Sequence, residues 1–212
     1  MDCRRGDRVA FMTIPEPGVA VGVRPGKPQM LNHVAYITRD TSATVDFYTN
    51  LLGMELVAAV MDDSIPSTGD PVPYFHSFFK MGDGSTIAFF EAPELPPPAG
   101  PTHPAYNVFQ HIALEVDSPA TVDAWRGWLT SNGVDVVGPV DHKIIYSIYF
   151  YDPNGIRLEL TTPIDRTWND NAEAARAFLG EWEAVKATAR ASGRDLVSVL
   201  ADLTRARSHS RS

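Results

Sequence analysis

Short runs in which hydrophobic and polar residues alternate recur along the chain and predict β-strands. Two of these runs, His33–Thr38 and His111–Val116, begin with a histidine and are rich in residues that favour strands. Each is followed by an apolar stripe at helical spacing, and then by further strand patterns. The later strands are predicted at Glu55–Val60, Phe75–Lys80, Ser85–Glu91, Val134–Val137, Ser147–Tyr151 and Ile156–Thr161. The pattern therefore predicts strand, helix and three strands, and predicts this order twice.

The two units also share sequence. Residues 31–46 are LNHVAYITRDTSATVD and residues 109–123 are FQHIALEVDSPATVD, so a histidine and the tetrapeptide ATVD return at matching places. Ser118 and Pro119 are suited to the N-cap and the first position of the second helix, which we expect to stop at Asn132-Gly133. Thr41 or Ser42 is the corresponding cap of the first helix, and Gly53 its stop. We therefore expect two copies of one βαβββ module.

The rest of the chain divides around these two modules. We expect an N-terminal arm with a candidate strand near residues 18–23, and a proline-rich linker between the modules, because proline neither continues a helix nor donates to a strand. Apolar stripes after the second module predict helices that cover a sheet face or a partner subunit. The predicted boundaries are arm 1–28, first module 29–92, linker 93–106, second module 107–163, C-terminal helices 164–206 and disordered tail 207–212.

Charge and composition exclude several classes of partner. The 212 residues carry a net charge of −8, which argues against nucleic acid because phosphate binding needs a basic surface. No apolar run is long enough to span a bilayer, and no apolar stretch of a signal peptide follows Arg4 and Arg5. The single cysteine, Cys3, leaves no intrachain disulfide. We therefore expect a cytoplasmic protein without nucleic-acid or membrane partners.

Four ionisable residues occupy strand positions where burial is expensive. Histidines His33 and His111 begin the first strands of the modules, and Glu91 and Glu159 end the last strands. Taken singly, a strand histidine is often a satisfied core residue and a glutamate at a strand end is often solvated. Their recurrence in both modules favours a shared role. Two imidazoles and two carboxylates form a donor set for a divalent metal, and two histidines with one carboxylate form the set used by non-haem Fe(II) oxygenases.

With this duplication and these four residues, residues 31–162 resemble the vicinal oxygen chelate superfamily. That superfamily includes glyoxalase I, extradiol ring-cleaving dioxygenases, methylmalonyl-CoA epimerase, fosfomycin-resistance enzymes and bleomycin-binding proteins. The resemblance implies an α+β fold in which two βαβββ modules form a cup-shaped mixed sheet around a metal, here followed by C-terminal helices. It places His33, His111, Glu91 and Glu159 on the metal positions. It also implies a small substrate with two adjacent oxygens and is consistent with a homodimer.

Residues 140–159, VDHKIIYSIYFYDPNGIRLE, are similar to the signature of the extradiol dioxygenases. The resemblance implies that Glu159 is a metal ligand and that His142 and Tyr149 form hydrogen bonds to the substrate or to intermediates derived from dioxygen. The family places a further catalytic histidine after the hairpin turn of the preceding module, where this chain has Ser85 or Thr86. On the neighbouring strand, His76 is the candidate to replace it.

Three functions follow from the resemblance. The extradiol motif favours an Fe(II) dioxygenase that cleaves a catecholic or related aromatic substrate, and Phe78, Phe89 and Phe150 are expected to line an apolar cup for it. Glu91 as a fourth ligand, and the presence of two modules rather than four, favour instead a glyoxalase I-like lyase or an epimerase that uses Ni, Zn, Mn or Co. A non-enzymatic small-molecule binding protein is the third possibility, although such a protein has no need of the metal ligands.

Overall fold

The computed structural model describes residues 26–96 and 100–209, which contain eight strands and five α-helices. The first module consists of β1 (His33–Thr38), α1 (Thr41–Asp46) with a π-helical extension (Phe47–Leu51), β2 (Glu55–Asp62), β3 (Tyr74–Lys80) and β4 (Thr86–Glu91). A short helix α2 (Ala105–Phe109) precedes the second module, which consists of β5 (His111–Glu115), α3 (Pro119–Ser131), β6 (Val137–Asp141), β7 (Ile145–Tyr151) and β8 (Arg157–Pro163). Helices α4 (Ala172–Ser192) and α5 (Leu196–His209) follow.

Each module forms its own four-stranded mixed sheet. The strand orders are β1-β4-β3-β2 and β5-β8-β7-β6, and we refer to these as sheet A and sheet B. In both, the first strand runs parallel to the last, while the remaining pairs are antiparallel. The predicted duplication and the α+β fold are therefore confirmed. The structure adds that β1 and β5 are edge strands, so the two sheets are not hydrogen-bonded to each other.

The starts of the module helices show how local sequence sets their position. The Ser118 hydroxyl accepts a hydrogen bond from the Thr121 amide at 3.2 Å, and Pro119 opens α3 as predicted. In the first module the cap is Asp40 rather than Thr41 or Ser42, because its carboxylate accepts from the Ala43 amide at 3.0 Å. Both a carboxylate and a hydroxyl can cap a helix. The cap is Asp40 because the extended backbone of an N-cap occurs at this residue, one position before Thr41.

One hydrophobic core joins the two modules. Tyr48 in the π-helical extension is fully buried and lies 5.2 Å and 5.0 Å, between ring centroids, from Phe79 and Phe89 of sheet A. Its neighbour Phe47 contacts Phe150 of sheet B at 6.4 Å. The helix-covered faces of both sheets therefore point towards a common interior. The opposite faces, which we call the helix-free faces, consequently point away from each other.

A polar network across the module boundary fixes this arrangement. The Tyr48 hydroxyl donates to the Asp152 carboxylate at 3.2 Å, and the Thr38 hydroxyl donates to the Asn154 side-chain oxygen at 2.8 Å. Asp152 also accepts from the Asn154 and Ile156 amides of its own turn, at 2.9 Å and 2.8 Å. Because buried polar groups are costly unless they are paired, these satisfied contacts favour one relative orientation of the modules.

Strand β6 is displaced from its predicted position. The pattern predicted a strand at Val134–Val137, whereas β6 begins at Val137, and Val134 and Val136 pack against the core instead. A Cβ on Gly138, whose φ is 111°, would lie 2.9 Å from the Ser147 carbonyl oxygen, so the close approach of β6 to β7 requires glycine. Pro139 lies inside the strand, which is tolerated because β6 is an edge strand.

Helices α4 and α5 form a hairpin with a small core of its own, made by Val185, Ala189 and Val199. From the predicted stripes, Phe178 remains 59% exposed and Trp182 38% exposed. Helix α5 continues to His209, beyond the end expected at residue 206.

Helix α2 lies across the boundary expected between the linker and the second module. The candidate strand at residues 18–23 lies outside the described residues, and no helix within them is long and apolar enough to cross a membrane.

Candidate metal centre and active site

Two predicted metal ligands meet on the helix-free face of sheet B. In the parallel pairing of β5 and β8, His111 lies beside Arg157 and Ala113 beside Glu159, so the imidazole reaches the glutamate two positions along. His111 Nε2 is 2.8 Å from Glu159 Oε2. The β5–β8 pairing of the second module thus brings a nitrogen donor and an oxygen donor to one point of the fold.

The second nitrogen of His111 is already engaged. Nδ1 lies 3.1 Å from the Phe109 carbonyl oxygen, and since a carbonyl oxygen only accepts, Nδ1 carries the hydrogen. In the neutral ring, Nε2 then presents a lone pair to the Glu159 carboxylate. Two facing acceptors repel unless a proton or a cation lies between them. A backbone bond that holds the other ring nitrogen is also how metal-binding histidines are oriented.

The Glu159 carboxylate has an unsatisfied oxygen. The residue is 2% exposed, and its Oε1 is a buried atom without a hydrogen-bond partner in the described structure. Burial of an unpaired carboxylate oxygen is costly, and most such groups in proteins are paired or coordinate a metal. The residues present therefore fit a divalent cation held by His111 and Glu159.

Tyr149 and His142 extend this cluster. The Tyr149 hydroxyl and His142 Nε2 are 2.8 Å apart, and Tyr149 lies directly opposite Glu159 in the β7–β8 pairing. Its ring meets that of His111 edge to face at 5.9 Å between centroids. Burial, and next the charge of Glu159, raise the pKa of Tyr149, so its hydroxyl keeps its proton at neutral pH. Four of the seven predicted site residues, His111, Glu159, Tyr149 and His142, therefore form one cluster in space.

The two histidines of the first module lie on the helix-free face of sheet A. His33 is exposed at the start of β1, with Nδ1 2.7 Å from the Asn32 side-chain oxygen and its ring 5.7 Å from that of Phe78. His76 is buried, stacks on Phe90 at 3.5 Å between centroids, and donates from Nδ1 to the Phe89 carbonyl oxygen at 3.0 Å. Burial lowers the pKa of His76, which favours the neutral ring.

Glu91 does not occupy the position equivalent to Glu159. The register pairs Ala35 with Ala88, so Ala88 is the counterpart of Glu159, and Glu91 lies three residues further along β4. An odd offset turns a strand side chain to the opposite face, which here is the face that meets the helix. Glu91 accordingly accepts a hydrogen bond from the Thr41 amide, at the start of α1, at 2.8 Å. The expectation of equivalent glutamates was therefore wrong.

Two of the three expected cup residues are also on the wrong face. Phe89 and Phe150 are 0% and 1% exposed and belong to the core between the sheets, because they share the strand parity of the helix-covered face. Only Phe78 lies on a helix-free face, where it contacts His33 and His76. Alternation identified the buried positions correctly but did not say which of the two faces the helices would cover.

In residues 26–96 and 100–209, no group of three or more His, Cys, Asp or Glu side chains is close enough to hold a metal ion. The reason is the orientation of the modules, since the helix-free faces carrying His33 and the His111–Glu159 pair point away from each other. One chain therefore assembles two of the predicted donors and presents a third at a separate surface.

Arg157 is a site residue that sequence reasoning missed. Its guanidinium carbon lies 4.1 Å from the centroid of the Tyr149 ring, and one of its nitrogens donates to the Val108 carbonyl oxygen. It is the strand neighbour of His111 and lies two residues before Glu159, on the same face. The same alternation that singled out Glu159 could have identified it.

Comparison with known proteins agrees with these features. Residues 30–160 match the family described as the Glyoxalase/Bleomycin resistance protein/Dioxygenase superfamily. The metallothiol transferase FosB of Staphylococcus saprophyticus is 26% identical over 164 residues, which cover 76% of this chain and 95% of FosB. MhqA of Bacillus subtilis, whose name describes a candidate ring-cleaving dioxygenase, is 27% identical over 134 residues; these cover 62% of this chain and only 39% of MhqA. The crystal structure of a glyoxalase/dioxygenase from Nostoc punctiforme has a TM-score of 0.50 and 25% identity, covering 70% of this chain and 100% of that one.

Proposed function

Because this chain belongs to the Glyoxalase/Bleomycin resistance protein/Dioxygenase superfamily, we propose that it is a metal-dependent extradiol-type dioxygenase acting on a small catecholic or related aromatic compound. The observation that carries the proposal is the contact of His111 with Glu159 beside the hydrogen-bonded pair of His142 and Tyr149. All but His111 belong to the motif at residues 140–159 that resembles the extradiol signature. The single cysteine is consistent with a cytoplasmic location.

A divalent metal would be held by His111, by Glu159 and by one further imidazole, that of His33. Two histidines and one carboxylate suit Fe(II) and leave positions for a substrate with two adjacent oxygens. The bound ion supplies Lewis acidity towards those oxygens and, as Fe(II), chemistry with dioxygen. Glu91 is not part of this donor set, because its carboxylate lies on the helix-covered face and binds the start of α1.

His33 joins the site from a second copy of the chain, and the protein is a homodimer. Within one chain the two helix-free faces point apart, while both β1 and β5 are edge strands. A two-fold arrangement that sets sheet A of one copy beside sheet B of the other closes two cups at once. An exposed apolar residue on the helix-free face supports such an interface, because Val60, which pairs with His76 in sheet A, is 48% exposed.

The protein's own residues position the substrate and move its proton. The Tyr149 hydroxyl, kept protonated by its raised pKa, donates a hydrogen bond to a substrate oxygen. When the substrate loses a proton on binding, that proton passes to the Tyr149 oxygen while the hydroxyl proton of Tyr149 moves to His142 Nε2, and the exposed imidazole releases it to solvent. The Tyr149 hydroxyl is then left donating to the deprotonated substrate oxygen. His76 stays neutral because its pKa is lowered. In the proposed dimer it lies in sheet A of the second copy and faces the same cup.

Two other functions differ in their support. The hypothesis of a lyase or isomerase with Ni, Zn, Mn or Co depended on Glu91 as a fourth ligand. That support is lost because the Glu91 carboxylate accepts from the Thr41 amide at the start of α1. A thiol transferase is the second candidate, favoured by a similarity that covers 95% of FosB against 39% of MhqA. The cluster of His142 and Tyr149 favours the dioxygenase.

Purification without oxygen, followed by elemental analysis and oxygen-uptake assays with a panel of catechols, tests this function. We expect one iron per chain and oxygen consumption with at least one catechol. Bound manganese or zinc with no oxygen uptake would refute the dioxygenase. Transfer of a low-molecular-weight thiol to a second substrate would then favour the transferase.

Co-expression of His33→Ala and Glu159→Gln chains tests the shared site. Each variant alone lacks a ligand in both sites of its dimer, whereas a mixed dimer regains one intact site. Random pairing restores about a quarter of the wild-type activity if the ligands come from different copies. No recovery in a verified mixed dimer would mean that the site lies within one chain.

A further inference from the structure

Arg157 is a cation placed at the edge of the proposed metal centre. It lies on the same strand and face as Glu159, beside His111 in the sheet, and over the ring of Tyr149. A guanidinium carries five N–H donors, and in the described residues one of them is used, by the Val108 carbonyl oxygen. The remaining donors border the space in which a substrate would meet His111 and Glu159.

Within the described part of the chain, no Asp or Glu oxygen forms an ion pair with Arg157, whereas Arg194 and Asp202 pair at 2.5 Å. The place of Arg157 distinguishes it from the other described arginines, since it lies beside His111 in the sheet and over the ring of Tyr149. A half-buried guanidinium over an aromatic ring is held in place, and its planar edge matches a carboxylate.

We propose that Arg157 binds a carboxylate carried by the substrate, which makes the substrate class an aromatic acid with two adjacent hydroxyl groups. This inference rests on the proposed function, because it uses the same cup. The adjacent oxygens reach the metal ligands, and the carboxylate on the ring reaches Arg157. Arg157 thereby sets both the orientation of the ring and the preference for an anionic substrate.

Arg157 could instead act only on Tyr149, by holding its ring in place. That role would affect every substrate alike, charged or neutral. A comparison of a dihydroxybenzoate with catechol separates the two, because both present adjacent hydroxyls and only one carries a carboxylate.

The experiment measures binding of a dihydroxybenzoate and of catechol by calorimetry, without oxygen, to the purified metal-loaded protein. We expect the wild type to bind the acid about 10- to 100-fold more tightly than catechol, the range typical of a hydrogen bond to a charged group. Arg157→Met should weaken binding of the acid much more than binding of catechol, so that the preference is lost, while Arg157→Lys should retain part of it. Arg166→Met is the matched control, because Arg166 donates to a backbone carbonyl outside the cluster and should keep the preference.

Equal loss of both ligands in Arg157→Met, or equal affinity of the wild type for both, would overturn the proposal. Oxygen uptake with the same two compounds keeps this outcome separate from the proposed function. If neither ring is cleaved but the Arg157-dependent preference for the acid persists, the dioxygenase fails and the carboxylate site stands. If catechol is cleaved and the preference is absent, the carboxylate site fails alone.

Discussion

The two modules share a fold and differ in what their helix-free faces carry. In the second module His111 meets Glu159, with Tyr149 and His142 next to them. At the matching position of the first module, His33 stands alone, because Ala88 replaces the glutamate. Each module therefore carries one imidazole at the start of its first strand, while the buried carboxylate and the hydrogen-bonded pair of His142 and Tyr149 lie in the second module only.

This difference shows how a duplicated fold can divide one site. Strand pairing gives both modules the same framework of backbone positions. The difference between Glu159 and its counterpart Ala88 therefore decides whether a module offers two candidate metal donors or one. Because the shared core turns the two helix-free faces apart, the site that we propose takes His33 from a second copy of the chain. The predictions below test this division of roles.

The largest effect is expected from a matched pair of glutamate variants. Glu159→Gln should lower metal content by at least about 10-fold and reduce turnover to background, because it removes a charged ligand. Glu91→Gln should leave both unchanged, since the amide oxygen still accepts from the Thr41 amide. Elemental analysis and oxygen uptake measure the two effects. Loss of metal in both variants would show that Glu91 is a ligand, as the lyase or isomerase alternative requires.

Removal of the acid–base pair should have an intermediate effect. His142→Ala and Tyr149→Phe should each lower kcat by about 100-fold, with a smaller change in KM and normal metal content, because these groups act on bound substrate. Tyr146→Phe is the control, since the Tyr146 hydroxyl donates to Asp123 at 3.1 Å on the helix-covered side. Wild-type turnover in both His142→Ala and Tyr149→Phe would make the resemblance to the extradiol motif coincidental.

The smallest effect concerns the hairpin turns of the two modules, whose aspartates have opposite pKa shifts. Burial raises the pKa of Asp152 above its ordinary value of 3.8, so its contribution to stability is present below pH 3.8 and is lost as pH rises through the folded pKa. Hydrogen bonds from Ser85 lower the pKa of the exposed Asp83, so its contribution is present above pH 3.8 and is lost as pH falls.

Urea unfolding at several pH values compares Asp152→Asn and Asp83→Asn with the wild type. Asp152→Asn should cost about 1 kcal/mol through the weakened bonds to Tyr48 and the turn amides. Asparagine does not ionise, so Asp152→Asn should also lack the decrease in stability that the wild type shows as pH rises above 3.8. Asp83→Asn should lower stability above pH 3.8 and remove the loss of stability that the wild type shows as pH falls below 3.8, so its slope has the opposite sign. Slopes of the same sign in the two variants would contradict the difference between the turns.

Sequence patterns were most successful where one residue's neighbours along the chain decide its structure. β1 was predicted with its observed limits, and Ser118 and Pro119 open α3 as expected. Patterns failed where a distant segment decides. Val134 and Val136 satisfied a strand pattern but pack into the core. Alternation placed Glu91, Phe89 and Phe150 on one face of their strands, but it could not tell whether a helix covers that face.

The sequence by itself determined that two βαβββ modules exist and that each first strand begins with a histidine. The resemblance of residues 140–159 to the extradiol signature also assigned Glu159 and Tyr149 to one site, and the β7–β8 pairing of the structure sets them opposite each other. Only the tertiary structure decided which sheet face the helices cover and that the two helix-free faces point apart. Those outcomes depend on Tyr48 packing between the sheets and bonding to Asp152, 104 positions away, a long-range contact that no local pattern encodes.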